Sequence, residues 1–191
     1  MRPALLDHVA GLGHRVFENG LYNLNIIGIR TAATDPNQFD DRICVVYKDS
    51  DDVWITKTWE ATTDPGLFWL NHPMKVSGTA ILVPGQYRGS HKIAKHQGRY
   101  DALCQRKPVK VYRDRNMDDV LDMDPETIEE GYFGINIHRA GVASTQVDKW
   151  SAGCQVFARR SDFEDFMSLC RKAADTWGDS FTYTLIPDPE D

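Results

Sequence analysis

The stretch "RICVVYKDSDDVWITKTWEA", residues 42–61, decides the fold class of this chain. Its two halves are rich in β-branched and aromatic residues, and the Asp-Ser-Asp-Asp cluster between them favours a turn, so the stretch predicts a β-hairpin. No convincing helical period occurs between residues 22 and 160, and we expect a β-rich core over 22–160. The other strand-like runs cover residues 22–31, 78–85, 107–114, 131–139 and 152–160.

The two ends of the chain have helical patterns instead. In the N-terminal segment 1–20, apolar residues recur at helical spacing, which predicts an amphipathic helix over 3–17 weakened by two glycines.

Residues 161–186 predict a second helix followed by a last strand. Ser161 and Glu164 have the spacing of a capping box, and apolar residues at helical spacing follow them. Gly178 is placed to end this helix, and residues 181–186 alternate as a strand.

Length and composition are those of a single domain over residues 1–191, of mainly β (α+β) class. The formal net charge of -6 argues against a nucleic-acid binder, and no apolar run reaches the length of a membrane span. The first residues lack the apolar stretch of a signal peptide, which predicts a protein that is cytoplasmic as synthesised. Action from a virion or at the cell wall would then need another delivery route.

His138 and Cys154 are the strongest candidates for a reactive pair. His138 closes the alternating run "YFGINIH", and Cys154 follows three small residues, Ser-Ala-Gly. A cysteine nucleophile needs a base, backbone N–H donors for the oxyanion and a turn that exposes the sulfur. On spacing alone, a buried cysteine and a structural histidine are the favoured alternative, because free cysteine is among the most buried residue types.

The local sequence is more specific than the spacing. "GINIHRAG" followed by "SAGC" resembles the catalytic segment of the L,D-transpeptidase (YkuD-type) family, in which a Gly-x-His-Gly strand end precedes a Ser-His-Gly-Cys turn. "ATTDPG" (61–66) resembles that family's Ser/Thr-Gly entry, and "TAILVPGQY" (79–87) resembles its Thr-Pro-x-Gly-x-Tyr turn. The chain also resembles a phage-borne variant with the motif Trp-Ser-Ala-Gly-Cys-Gln. The resemblance implies an L,D-transpeptidase-like β-sandwich or barrel.

The resemblance also implies the roles of the site residues. Cys154 is the implied nucleophile and His138 the base, while Ser151 and Gly153 shape the turn and the N–H groups of Gly153 and Cys154 face the oxyanion. The implied partner is bacterial peptidoglycan: the thiolate attacks an amide between an L- and a D-centre of a stem peptide, and water or an amine resolves the acyl-enzyme. No cofactor is required. The alternative is a non-catalytic phage structural or cell-wall-binding module that keeps the fold.

Three positions depart from the family pattern. Ala152 stands in place of the usual His, Arg139 follows the catalytic His, and Val156 replaces an Arg that helps hold the substrate or the turn. Arg139 and Arg159 are candidates for that missing role in substrate binding. Trp150, four residues before the cysteine, is a candidate wall of the site.

The assignment makes a geometric prediction. The strand that ends at His138 and the turn that holds Cys154 should be neighbours, with a ring nitrogen about 3–4 Å from the sulfur. The other ring nitrogen should meet a backbone carbonyl or a carboxylate that fixes the tautomer. A cysteine sealed in the core would indicate packing instead.

The loop "DRNMDDVLD" (114–122) is a candidate calcium site. The order of its oxygen-bearing residues resembles that of calcium loops between strands, but Asp119 replaces the usual glycine at the sixth position. A solvated acidic turn is the favoured alternative. The ligands expected for a structural calcium ion are the side chains of Asp114, Asn116, Asp118 and Asp122 and the carbonyl of Val120.

The remaining histidines and cysteines have simpler interpretations. His91 and His96 belong to "GSHKIAKHQGRY" (89–100), whose composition favours a flexible polar loop beside the cleft over a metal site. Cys44 and Cys170 lie on apolar faces and are predicted to pack in the core.

Overall fold

The computed structural model of the protein describes residues 1–32 and 36–190. Strands predominate in this part of the chain, which confirms the predicted mainly β, α+β class. The helices are α1 (Ala4–Gly11), α2 (Leu67–Asn71) and α3 (Arg160–Trp177). The strands are β1 (Asn25–Arg30), β2 (Asp41–Lys48), β3 (Trp54–Thr62), β4 (Thr79–Leu82), β5 (Gly85–His96), β6 (Tyr100–Gln105), β7 (Val109–Asp114), β8 (Glu129–Gly131), β9 (Ile137–Arg139), β10 (Gln155–Phe157) and β11 (Phe181–Pro187).

Eight strands close into a barrel in the order β1, β11, β5, β6, β9, β10, β3, β2. Strand β1 pairs antiparallel with β2 and parallel with β11, so strands from near both ends of the chain lie side by side. A second sheet has the order β4, β7, β8. Ala80, Leu82 and Val111 of this sheet belong to the same buried cluster as residues of the barrel, so the two sheets share a core.

Strands β2 and β3 form the hairpin that the sequence predicts, and they pair along their whole length. The carboxylate of Asp49 accepts hydrogen bonds from the backbone N–H groups of Asp51, at 3.0 Å, and Val53, at 3.1 Å. An aspartate that bonds to nearby backbone in this way stabilises a tight turn. The acidic cluster therefore fixes the hairpin.

The predicted capping box of α3 is wrong. Arg159 is the N-cap residue, and Ser161 lies inside the first turn, where its hydroxyl cannot cap the helix. The carboxylate of Glu164 accepts a hydrogen bond from Arg160 at 2.7 Å instead. The predicted end of the helix at Gly178 and the strand after it are confirmed.

The N-terminal helix α1 ends at Gly11, well before the predicted end at residue 17. Glycine is a poor helix former, and two glycines close together stop propagation. Leu6 and Val9 are buried against β1 and β2 through Ile27 and Cys44. No helix in the described parts of the chain combines the length and the apolar composition that crossing a membrane requires.

Strands β5 and β6 form a second hairpin, which the sequence analysis did not predict. Gln97 and Gly98 both have positive φ, 50° and 72°, in the loop 97–99 that joins the two strands, and the Arg99 N–H donates to the His96 carbonyl at 3.0 Å. His91 and His96 are buried in β5, so their assignment to a flexible polar loop is wrong. Helix α2 is also missed, because its five residues are too few to show a period.

The strand predicted over 131–139 is divided in the structure. Strand β8 ends at Gly131 in the second sheet, and β9 begins at Ile137 in the barrel, so the residues between them carry the chain from one sheet to the other. As a result His138 lies in the barrel wall, in a strand flanked by β6 and β10.

Candidate active site

The parallel pairing of β9 with β10 makes the two predicted residues neighbours. Val156 lies opposite His138, and Gln155 lies opposite Ile137. Cys154 directly precedes β10 and is therefore beside the start of β9. The predicted adjacency of the strand and the turn is confirmed.

Ser151 and Gly153 hold the shape of the cysteine turn. The buried Ser151 hydroxyl donates to the carbonyl of Cys154 at 2.8 Å and accepts the N–H of Gly153 at 3.2 Å. Gly153 has a φ of 118°, and a Cβ at this position would stand 2.3 Å from the carbonyl oxygen of Ala80. A larger residue would therefore have to displace β4 or change the turn.

Cys154 as a residue is half-buried rather than sealed in the core, although its sulfur lies deep in the turn. It donates to the carbonyl of Gly134 at 3.3 Å, and its sulfur accepts the backbone N–H of Asn136 at 3.5 Å. Burial of the sulfur raises the pKa of Cys154 to about 11, and the Asn136 N–H opposes this effect only in part. The thiol is therefore protonated at neutral pH.

His138 is a buried, neutral imidazole, and only one of its ring nitrogens makes a hydrogen bond within residues 1–32 and 36–190. Its Nδ1 lies 3.0 Å from the carbonyl oxygen of Arg139. Because a carbonyl can only accept, Nδ1 carries the proton and Nε2 is available as a base. The predicted contact that fixes the tautomer is thus confirmed. Burial, and after it the neighbouring His96, lowers the pKa of His138 to about 3.

His96 is a second imidazole at this site. Its ring stacks on that of His138, with centroids 4.1 Å apart and planes at 21°. The side-chain amide of Asn136 lies 3.1 Å from His96 Nδ1, while the backbone N–H of Asn136 points at the sulfur of Cys154. Asn136 therefore connects the thiol to the histidine stack.

The turn of Cys154 and the strand of His138 are neighbours, but the two side chains are not hydrogen-bonded to each other. Among the residues that the structure describes, no hydrogen bond joins Cys154 to His138, because the thiol donates to Gly134 instead. The predicted short contact between sulfur and ring nitrogen is therefore not made as a hydrogen bond in this state. Catalytic hydrogen bonds often tighten only when substrate is bound.

Of the two predicted oxyanion donors, one is already engaged. The N–H of Gly153 is bonded to the Ser151 hydroxyl. The N–H of Cys154 meets no acceptor among the described residues. The Cys154 N–H is therefore the donor that remains available to an oxyanion.

The two predicted substrate-binding residues, Arg139 and Trp150, differ in their contacts and exposure. The guanidinium of Arg139 packs 4.5 Å from the ring centroid of Tyr100 and donates to the carbonyl of Ala140. Trp150 is half exposed and is free to contact a ligand. Val156 is fully buried, so an arginine at that position would have no route to a substrate without changing the barrel.

A buried polar network under the turn was not predicted from the sequence. The hydroxyl of Tyr183 donates to Gln155 at 2.8 Å, and the amide of Gln155 lies 3.3 Å from the carbonyls of both Thr63 and Gly153. Arg30 donates to the same Thr63 carbonyl at 2.7 Å. The residue next to the cysteine is thus anchored to distant parts of the chain, which rigidifies the turn.

The side chains of the acidic loop 114–122 turn toward one another. The buried Asp114 accepts the N–H of Asp122 at 2.9 Å through Oδ2, while its Oδ1 meets no hydrogen-bond donor in the described part of the chain. The amide nitrogen of Asn116 donates to both Asp118 and Asp122, and so takes the place between two carboxylates where a cation would bind. In the described residues, no three His, Cys, Asp or Glu side chains are arranged to hold a metal ion. The calcium site stays a prediction.

Comparisons of the chain with family models, with curated proteins and with solved structures found no match. The candidate site is therefore defined by the residues and contacts of this chain.

Proposed function

We propose that this protein is a cysteine-dependent peptidoglycan-modifying enzyme, an L,D-peptidase or L,D-transpeptidase, with Cys154 as nucleophile and His138 as base. In this proposal the barrel is a divergent form of the L,D-transpeptidase fold, and the enzyme reaches the cell wall from a virion or after release. The observation that supports the proposal most is the backbone pairing that sets a half-buried cysteine on a fixed turn beside the strand of His138, whose Nε2 has no hydrogen-bond partner among the described residues.

The proposed reaction begins with both side chains neutral. As the Cys154 sulfur attacks the scissile carbonyl carbon, its proton passes to Nε2 of His138, and the oxyanion accepts the Cys154 N–H. Collapse of the tetrahedral intermediate expels the amine, which takes the proton from His138 and leaves a thioester. Water then attacks the thioester in a peptidase, and an amine attacks it in a transpeptidase.

Incubation with purified muropeptides followed by mass spectrometry tests the proposal. We expect shortened or exchanged stem peptides together with a covalent adduct on Cys154, and loss of both in the Cys154→Ala variant. The Cys104→Ala variant, which removes another partly exposed thiol, is the matched control and should keep activity. A folded wild-type protein that forms neither product nor adduct would contradict the proposal.

A second candidate function is a non-catalytic phage structural or cell-wall-binding module. The raised pKa of Cys154 and its hydrogen bond to Gly134 rather than to His138 favour this alternative. Equal binding of the wild type and the Cys154→Ala variant to insoluble peptidoglycan, without any product, would support it. Absence of binding in both proteins would argue against a cell-wall module.

A further inference from the structure

A small cavity lies between the second sheet and the cysteine turn. Its volume is about 60 Å³, and its walls include Ala152 of the turn, Ala80 of β4, Arg113 of β7 and Phe133. By comparison, a cavity of about 150 Å³ is large enough to bind benzene. This cavity therefore suits a group the size of a carboxylate rather than an aromatic ring.

The cavity borders the turn that carries the candidate nucleophile. Ala152 stands two residues before Cys154, and Phe133 directly precedes Gly134, whose carbonyl accepts the thiol hydrogen bond. A peptide held with its carbonyl at Cys154 can thus place a neighbouring group in the cavity.

The charge of the cavity is positive. Arg113 and Lys75 line it, and no carboxylate is among its described lining residues. Arg113 is 5% exposed; its Nε pairs with Glu129 at 2.8 Å and its Nη1 lies 3.2 Å from the carbonyl of Gly78. Its Nη2 makes no hydrogen bond to the described residues. In a chain with a net charge of -6, two cations around one cavity favour an anionic ligand.

The orientation of Arg113 is fixed by packing. Its guanidinium carbon lies 4.6 Å from the ring centroid of Phe133. The hydrogen bonds of Nε and Nη1 fix the plane of the guanidinium group. A planar guanidinium that is already oriented loses little freedom on binding a carboxylate. Glu129, which is 41% exposed and does not line the cavity, pairs with Nε of Arg113 and leaves Nη2 without a partner among the described residues.

We propose that this cavity is a carboxylate-binding subsite, with Arg113 and Lys75 as donors, for a peptide ligand whose carbonyl lies at Cys154. The proposal rests on the proposed function only in assigning the carboxylate to a peptide held at the thiol. The subsite would help hold the substrate, a role that the resemblance assigns to an arginine at the position of the buried Val156.

The indole N–H of Trp69 is a local probe of the cavity, because Trp69 lines it and donates to the carbonyl of Lys149 at 3.1 Å. We would follow its resonance by nitrogen-15 NMR while titrating N-acetylalanine or the neutral N-acetylalaninamide. We expect a saturable shift with the acid and none with the amide. Arg113→Gln should weaken binding about tenfold or more, the loss expected for a charge-assisted hydrogen bond.

Two further variants keep the test decisive if Arg113→Gln does not fold. Arg113→Lys keeps the charge but loses the planar donor pair, and the exposed Lys75→Gln changes no buried group; both should weaken binding. Arg171→Gln is the matched control, because Arg171 is an exposed arginine of α3 that pairs with Asp101 and does not line the cavity, and this variant should bind as the wild type does. Equal shifts with both probes, no shift in the wild type, or unchanged affinity in both Lys75→Gln and Arg113→Lys would overturn the subsite.

The titration measures binding and needs no turnover, so it tests the carboxylate subsite independently of the proposed enzyme activity. Carboxylate binding without any muropeptide product would refute the enzyme and leave the subsite. Product formation without carboxylate binding would refute the subsite and leave the enzyme.

Discussion

The reactivity of Cys154 discriminates best between an enzyme and an inert module. With a pKa of about 11, roughly one thiol in 1,000 is ionised at pH 8, compared with about one in ten for a thiol at the ordinary 9.0. The greater intrinsic nucleophilicity of a more basic thiolate recovers about tenfold of that difference. Without help from a base, Cys154 should therefore react with a neutral disulfide reagent about tenfold more slowly than an ordinary thiol.

Assistance by His138 would reverse this order. General-base catalysis contributes about 10² to 10⁴, so even its lower end makes Cys154 about tenfold faster than an ordinary thiol. We expect peptide mass spectrometry to show selective labelling of Cys154 over Cys104 at pH 7–8. We also expect His138→Ala to lower the rate about 100-fold, and the rate at Cys104 in the same molecule is the internal control for folding.

The pH dependence gives an independent test of the same reasoning. Because the pKa of His138 is lowered to about 3, the base stays neutral from pH 5 to 8 and the assisted rate should be nearly flat. The unassisted rate of the His138→Ala variant should rise about tenfold per pH unit, in step with the thiolate fraction. Two results together would show that His138 is not the base of Cys154. They are slower labelling of Cys154 than of Cys104, and an equally steep pH–rate profile in the wild type and the His138→Ala variant.

Three further predictions concern the turn, the core and the acidic loop. Gly153→Ala should lower the free energy of unfolding by ~2 kcal/mol or more in chemical denaturation, because the new Cβ would stand 2.3 Å from the Ala80 carbonyl; an unchanged midpoint would mean that β4 yields. Stability should fall as pH falls from 6.5 to about 4, because burial lowers the pKa of His91 to about 4 and the unfolded chain takes up a proton that the folded chain does not. The contribution of His91 to this loss should approach ~3 kcal/mol, and His91→Gln should remove that part, while the buried His138, whose pKa is also lowered, keeps its own contribution. Millimolar calcium should raise the Tm of the metal-stripped protein, and Asp114→Ala or Asp118→Ala should abolish the increase; no shift would indicate a solvated acidic turn.

The fold was predictable where its signals are local. The β2–β3 hairpin follows from two strand-like runs and an aspartate turn, and the end of α3 follows from Gly178. The β5–β6 hairpin was missed because β5 is rich in Lys, His and Gly, and the sequence gives no sign that the barrel buries two of its histidines. Closure by the parallel β1–β11 pair joins opposite ends of the chain, which no local pattern specifies.

The same distinction applies to the candidate site. Cys154 and His138 lie in one short segment, so a local motif was enough to predict their adjacency. His96 and Tyr183 come from other strands of the barrel, and their contacts with the site depend on its closure. Asn136 could have been predicted as a site residue. It is a polar residue two positions before His138 in an alternating run, and residues two apart lie on the same face of a strand.

The shifted pKa values also constrain the chemistry open to this site. Burial raises the pKa of Cys154 and lowers that of His138, so a resting thiolate–imidazolium pair is disfavoured from both sides. In the proposed reaction, proton transfer must therefore accompany formation of the carbon–sulfur bond, as negative charge moves from the sulfur to the carbonyl oxygen. Of the two turn amides, that of Gly153 is held by Ser151, which leaves the Cys154 N–H to receive the charge. One donor stabilises an oxyanion less than two do, so binding energy from elsewhere on the substrate must supply the rest. In the proposed subsite, a substrate carboxylate held by Arg113 beside the turn supplies this binding energy.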